Sequence, residues 1–224
     1  MKVAIFTLTK DRFSYTKRTF QSLAKKTHIP YDHFVIDQGS EDKTVEWLNQ
    51  FHNQLGKVYV YPLAMNIGIN RGVNFAIDRI GEEYDVIIKL DNDLEIETDG
   101  WLEKCLKVLR PKLLLSPYVK GLIDNRGGVN RIGFDNIIGY TPFIGGICMI
   151  GLKQAWKEDS GGWEVPKPKH AGGDLSFCMK LQLAGYRFGY REDVIIKHID
   201  TTVGQQEKYK DYFELRKQER SVIF

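Results

Sequence analysis

The sequence predicts an α/β protein: a mainly parallel central sheet flanked by helices, with a smaller mixed region after it. Three observations carry that expectation. Up to residue 90, apolar runs of strand length alternate with stretches of helical periodicity, and the connections are short, as in crossover units. The runs are apolar at nearly every position, which suits strands buried on both faces. Polar residues able to bind ligands stand just past the ends of four runs, and open parallel sheets bind ligands outside the carboxyl ends of their strands.

The elements follow in order. Residues 2–9, KVAIFTLT, read as a strand. Asp11 is placed to cap a helix in which Phe13, Phe20, Leu23 and Ala24 recur at helical spacing. HFVID (33–37) is the second strand, and Ser40 reads as the cap of a helix with Val45, Leu48, Phe51 and Leu55 on one face. KVYVYPL (57–63) is the third strand. Residues 68–80 form a helix through Ile69, Val73, Ala76, Ile77 and Ile80, and YDVIIKL (84–90) is the fourth strand. Asp99 caps a short helix that Pro111 ends. Beyond it come a strand at 112–119, a Gly- and Asn-rich loop or hairpin at 121–140, and a strand at 142–151 carrying two glycines. A long polar connection spans 157–173, a length more often functional than structural. A helix over about 172–184 stops at Gly185, its Met and Leu expected in the core. YRFGY and VIIKH are two short strands, and a charged tail with interleaved aromatics runs over 205–224.

With 224 residues, 42% of them hydrophobic, the chain can bury one sizeable core. The expected organisation is one domain over 1–204, with a first half at 1–98 that carries the ligand-binding strand ends and a second half at 99–204, followed by a helical tail. A net charge of +3, with Lys and Arg scattered outside the tail, argues against nucleic acid as a partner. No run reaches the length of a membrane span, and KVAIFTLT lacks the features of a signal peptide. Cys105, Cys148 and Cys178 show no C-x-x-C spacing and read as reduced packing residues. Together these place the protein in the cytoplasm. The tail mixes Lys and Arg with Tyr209, Tyr212, Phe213 and Leu215. It reads as a solvated or partner-binding helix, with peripheral contact to an anionic membrane as the sharper alternative.

The most informative stretch is VIIKLDNDLEIE (86–97), where a buried strand stops at two carboxylates one residue apart, Asp91 and Asp93. Asp-Asn-Asp also favours a plain Asx turn. At the ligand edge of a parallel sheet, however, two hard oxygen donors suit Mg²⁺ or Mn²⁺ bridging to a phosphate. Neither G-x-x-x-x-G-K nor G-x-G-x-x-G is present, so kinase-like and dinucleotide-binding readings have no support.

Five motifs in order resemble the family 2 glycosyltransferases, which have a nucleotide-sugar-binding α/β fold of the GT-A type. TKDR (9–12) stands where the family has T-Y-N-R. VIDQGSEDKT (35–44) resembles V-V-D-D-G-S-x-D-x-T, and NIGINRGVN (66–74) resembles N-x-G-x-x-x-A-R-N. DND (91–93) is the D-x-D, and GGDLSFCMKLQLAGYRFGY (172–190) resembles the E-D-x-D-L-x-x-R-L-x-x-A-G-Y region. The resemblance implies that Thr9 and Arg12 border the donor pocket and that Asp37 reads the nucleobase or ribose. It places Asn66, Gly68 and Asn74 along the nucleotide, with Arg71 near the position of the family's arginine. Asp91 would reach ribose or sugar. Asp93 would bind Mn²⁺ or Mg²⁺, with Asp91 beside it and His198 as a further ligand, and Asp174 would be the catalytic base. Gln38, Val73, Gly173, Ser176 and Lys180 depart from the pattern.

The reaction so implied is inverting transfer of a sugar from a nucleoside-diphosphate donor, uridine being the expected base, to a hydroxyl of a glycan or glycoconjugate. Two other readings stay open. A nucleotidyltransferase of related fold would need a glycine-rich loop after the first strand, and TLTKDRFSYTK has none. A nucleotide-sugar-binding protein without turnover draws on Gly173 and Ser176. Asp174 also reads as a helix cap, His198 as a strand-end histidine and His170 as a loop residue. Trp163, Tyr140 and Phe143 could form a sugar-stacking platform or pack in the core.

Overall fold

The computed structural model of the protein describes residues 1–121, 132–164 and 173–200. The tail at 205–224, His170 and the middle of the 157–173 connection lie outside the described residues. The strands are β1 (Val3–Thr9), β2 (Asp32–Asp37), β3 (Val58–Pro62), β4 (Val86–Leu90), β5 (Leu94–Ile96), β6 (Leu113–Lys120), β7 (Gly133–Asp135), β8 (Ile138–Thr141), β9 (Cys148–Leu152) and β10 (Arg187–His198). The α-helices are α1 (Phe13–Lys26), α2 (Thr44–Gln50), α3 (Ile69–Arg79), α4 (Trp101–Leu106) and α5 (Gly173–Leu183).

The strands form one sheet in the order β3-β2-β1-β4-β9-β6-β10-β8-β7, with β5 paired to β10 off that path. β3, β2, β1 and β4 run parallel. β9 is antiparallel to both β4 and β6, and β10 is parallel to β6. The sheet is therefore parallel in its first part and mixed in its second. β1 has β2 on one side and β4 on the other, so the order reverses there, and sheets of this kind bind ligands beyond the carboxyl ends of such a pair.

Period-two alternation of apolar residues explains the two buried layers. Ala4 and Phe6 face Val73, Ala76 and Ile77 of α3. Val3 and Ile5 belong to the opposite layer with Leu23, Trp101, Leu102 and Cys105. All three cysteines are free and buried. His33 is buried as well, stacked on Phe20 at 4.4 Å and bonded to the Thr7 hydroxyl at 2.9 Å. Burial pushes its imidazole down to about 3.

Several local expectations are corrected. Neither Asp11 nor Ser40 caps a helix. Asp42 accepts the Phe13 N–H of α1 at 2.9 Å and the Thr44 N–H of α2 at 2.9 Å, so one carboxylate serves two helix starts. The strand expected over 142–151 begins only at Cys148, because the Gly146 peptide is bonded to side chains rather than to a neighbouring strand. The two short strands expected near the end are one, β10, whose register against β6 shifts between Arg191 and Ile195. Ala155–Asp159 is a turn of π-helix that buries Trp156 against Phe6 and Phe177. On α5, Phe177, Cys178 and Leu181 are buried, whereas Leu175, Met179 and Leu183 point outward and are not core. Among the described residues no helix is long and apolar enough to cross a membrane.

Candidate active site

The loop after β1 turns through two consecutive non-glycine residues in the left-handed region, Asp11 (φ 52°) and Arg12 (φ 62°). That conformation is costly for side chains bearing a Cβ and persists only where the surroundings impose it. The imposition comes from the loop after β2. Asp11 N–H donates to the Ser40 hydroxyl at 2.6 Å, and the Asp11 carboxylate accepts the Glu41 N–H at 2.8 Å. This last bond holds the Asp11 carboxyl below its ordinary value. Asp37 is buried and closes its own turn, accepting the N–H groups of Gly39 and Ser40 and the Ser40 hydroxyl. Gln38 is buried too and accepts the Ile67 N–H at 3.2 Å, which ties this loop to the one after β3. There Asn66 accepts the Gly68 N–H at 2.8 Å, and Gly68 starts α3 with φ 87°, a conformation natural to glycine.

Past β4, the middle residue of the Asp-Asn-Asp stretch turns inward. The Asn92 amide donates to the hydroxyls of Thr9 at 3.1 Å and Thr16 at 3.0 Å. This anchor fixes the loop and turns its two carboxylates to separate partners. Asp93 accepts from Arg12 at 3.0 Å, and its Oδ2 lies 3.5 Å from His198 Nε2. Arg12 also pairs with Asp200. The short strand β5 makes this possible. It runs antiparallel to β10 with Leu94 opposite His198, and Ile199 N–H donates to the Asp93 carbonyl at 2.8 Å. His198 Nδ1 is buried without a hydrogen-bond partner among the described residues.

Asp91 has a different partner. Lys89, 4% exposed within β4, places its ammonium on Asp91 Oδ1 and on the Gly146 carbonyl. Withdrawal from bulk water raises the Asp91 carboxyl and the Asp93 charge adds to this, while the Lys89 ammonium opposes both. The Gly146 N–H in turn donates to Asp174 Oδ2 at 3.2 Å. Asp174 is half-buried on the first turn of α5. Directly before it, Gly173 has no room for a side chain: a Cβ there would lie 2.1 Å from Asn70 Oδ1 and 2.6 Å from the Trp163 ring. The position where the family carries Glu is thus filled by α3 and Trp163. Trp163 is itself clamped by Asn74, whose amide exchanges two 2.8 Å bonds with the Trp163 backbone.

The structure therefore brings Arg12, Asp93 and His198 together, and it joins Asp91 to Asp174 through Lys89 and Gly146. Thr9 and Asp37 stand at the same edge but are buried and spent on holding loops. Arg71 is exposed, and Asn74 positions the 160s loop. Among the described residues no three of His, Cys, Asp and Glu gather closely enough to form a ready-made metal cluster. Trp163 and Tyr140 are buried and offer no open sugar platform, whereas Phe143 is 45% exposed. Lys89 and Asp200 were not singled out from the sequence, and Gln38 stood out only as a departure from the family pattern. Lys89 carried a signal, a lone cation inside the apolar run VIIKL; Asp200 carried none beyond lying two residues after His198.

The sequence model described as Glycosyl transferase family 2 matches residues 4–115, half of the chain. No curated protein matches by sequence. Solved structures do match in fold. A mannosyltransferase, PcManGT from Pyrobaculum calidifontis, in complex with GDP-Man and Mn²⁺, superposes with TM-score 0.70 at 17% identity, covering 91% of this chain and 58% of that one. GalNAc-T7 with UDP, GalNAc and Mn²⁺ gives 0.72 at 14%, covering 91% and 45%. S. aureus TarS 1-349 in complex with UDP-GlcNAc gives 0.65 at 20%, covering 88% and 58%. The fold is thus of the GT-A type, and the chain spans about half the length of these proteins.

Proposed function

Because the chain belongs to glycosyl transferase family 2, we propose that it moves a sugar from a nucleoside diphosphate, uridine diphosphate in the first instance, to a hydroxyl of a glycan or glycoconjugate. The transfer inverts the anomeric centre and is assisted by Mn²⁺ or Mg²⁺. One observation carries the reading: Arg12, Asp91 and Asp93 converge at the carboxyl ends of β1 and β4, with Asp174 joined to them across the Gly146 peptide. The nucleotide-sugar and Mn²⁺ complexes of the similar folds support it.

The donor set fits a divalent ion. A carboxylate oxygen and an imidazole nitrogen 3.5 Å apart are close to the spacing of neighbouring ligands on one such ion, roughly 3 Å for bonds of about 2.1 Å. Asp93 and His198 would hold it, with Asp91 nearby. When bound, the ion offsets the negative charge that gathers on the departing diphosphate. Arg12 adds a cation at the same edge, and its forked guanidinium suits phosphate oxygens. Asp174 receives the proton of the acceptor hydroxyl as that oxygen attacks the anomeric carbon from the face opposite the diphosphate. A base so placed is worth roughly 10²–10⁴-fold. Phe143, which is exposed, offers a face for an acceptor ring.

The test is transfer and hydrolysis with a panel of nucleotide sugars, each with Mn²⁺, with Mg²⁺ and in EDTA. Metal-dependent turnover of one donor supports the reading. Nucleotide binding without turnover of any donor would leave a binding protein in its place.

A further inference from the structure

We propose that Lys89 is a positioning residue that couples the two sides of the site, setting Asp91 directly and Asp174 through the Gly146 peptide. The inference rests on the glycosyl-transfer reading and adds to it a residue that touches neither donor nor acceptor. Its first support is the location of the charge. Lys89 lies in β4 between Ile88 and Leu90, both fully buried, and is itself 4% exposed. A strand buried on both faces is built most stably from apolar residues. Burying an ammonium there is unfavourable unless its donors are satisfied. A leucine or methionine would serve packing as well, so packing alone does not account for a lysine.

The second support is where the donors go. An ammonium has three N–H groups and no acceptor. One meets Asp91 Oδ1 and one the Gly146 carbonyl, while the ring centroid of Trp163 lies 5.9 Å away. Gly146 uses the other end of its residue for Asp174, donating its N–H to Oδ2 at 3.2 Å. The residue has little slack, because a Cβ on it would meet Trp163 at 3.3 Å and the Asp174 Cβ at 3.4 Å. A continuous path of Asp91, Lys89, Gly146 and Asp174 thus joins the carboxylate beyond β4 to the carboxylate on α5. α5 is a helix outside the sheet, so no backbone ladder ties it to β4.

Misplacing a catalytic group by about 1 Å can cost roughly 10²-fold in rate. We therefore expect Lys89→Met to lower kcat by roughly tenfold or more when rates are normalised to the nucleotide-binding fraction, with a smaller change in donor KM. Lys89→Arg, which keeps the charge and the donors, should recover part of the loss. A purely structural lysine would lower the folded fraction and leave the normalised kcat unchanged. Gly146→Ala supplies a second variant with Lys89 and Asp91 intact. It should leave the melting temperature near wild type and still lower kcat severalfold. Amide hydrogen exchange at Gly146, measured without substrate, tests the coupling apart from activity. Lys89→Met should speed it, because the peptide loses the partner on its carbonyl. A normalised kcat within twofold of wild type, or unchanged Gly146 protection in a folded variant, overturns the proposal. Loss of transfer in Asp174→Asn is scored separately and checks the base assignment alone.

Discussion

The loops beyond β1, β2 and β4 are stitched to one another, whereas Asp174 is tied to the sheet side through the Gly146 peptide. On the first side, Asp11, Ser40, Asp42 and Asn92 each spend polar atoms on a neighbouring loop or helix, and Asp37 closes its own turn. On the second, Asp174 has, among the described residues, one bond outside its own helix, to Gly146. On the proposed function, such a division suits a diphosphate platform that faces an acceptor region. It also implies that polar substitutions on the first side are felt chiefly in stability, and those on the second chiefly in rate.

Asp93 joins the first side to the end of β10, and its loss should be the most severe. Asp93→Ala removes the partner of Arg12 and His198 together, and transfer should fall by roughly 10³-fold. Calorimetry of UDP binding should show that the affinity gained from Mn²⁺ disappears in this variant. Equal affinity of wild type in Mn²⁺ and in EDTA would remove the metal role.

Asp174→Asn sharpens the contrast from the other side. Asparagine keeps the shape of the residue and can still accept from Gly146, so the melting temperature and UDP affinity should hold. Transfer should drop by roughly 10²-fold. Transfer close to wild type would leave the mechanism without its base.

His33 tests the firmness of the first side through pH. Its folded value of about 3 lies below the ordinary 6.5, so below pH 6.5 the unfolded chain takes up a proton that the folded chain refuses. Stability present above pH 6.5 is lost as the pH falls and goes on being lost until about 3. Between pH 7.5 and 5.0 this single group removes about 2 kcal/mol. Denaturant titrations at the two pH values should show that loss shrinking by a similar amount in His33→Gln. An unchanged pH dependence would contradict the burial of His33.

The smallest effect concerns the shared cap. Asp42→Ala frees the first N–H groups of α1 and α2 and should cost about 1 kcal/mol, with kcat nearly unchanged on the folded fraction. A large fall in kcat at constant stability would break the proposed division between the two sides.

The legible parts of this molecule were those with a local signal. The apolar runs of β1, β2 and β4 and the spacing of Val73, Ala76 and Ile77 in α3 declare themselves within a few residues. Helix starts were misread because their partners are remote: position points to Asp11, but the carboxylate on the Phe13 N–H comes from Asp42, across a loop. β5 has three residues and becomes a strand only by pairing with β10, so nothing in Leu94–Ile96 announces it. Asp91 and Asp93 stood out by their spacing. That they have different partners, Lys89 for one and Arg12 with His198 for the other, follows from the inward turn of Asn92, which depends on Thr9 and Thr16 of a distant segment.

The pairing of β5 with β10 also dictates when the site comes into being. Asp93 and His198 stand more than a hundred residues apart in the chain, and only that ladder brings them side by side. Closing so long a loop early is entropically unfavourable, and contacts of this separation form late. A nascent chain that has completed the parallel strands therefore holds Asp93 without its imidazole partner and has no place for α5 to deliver Asp174. On the proposed function, metal-dependent nucleotide capture is then expected only of chains that have completed β10.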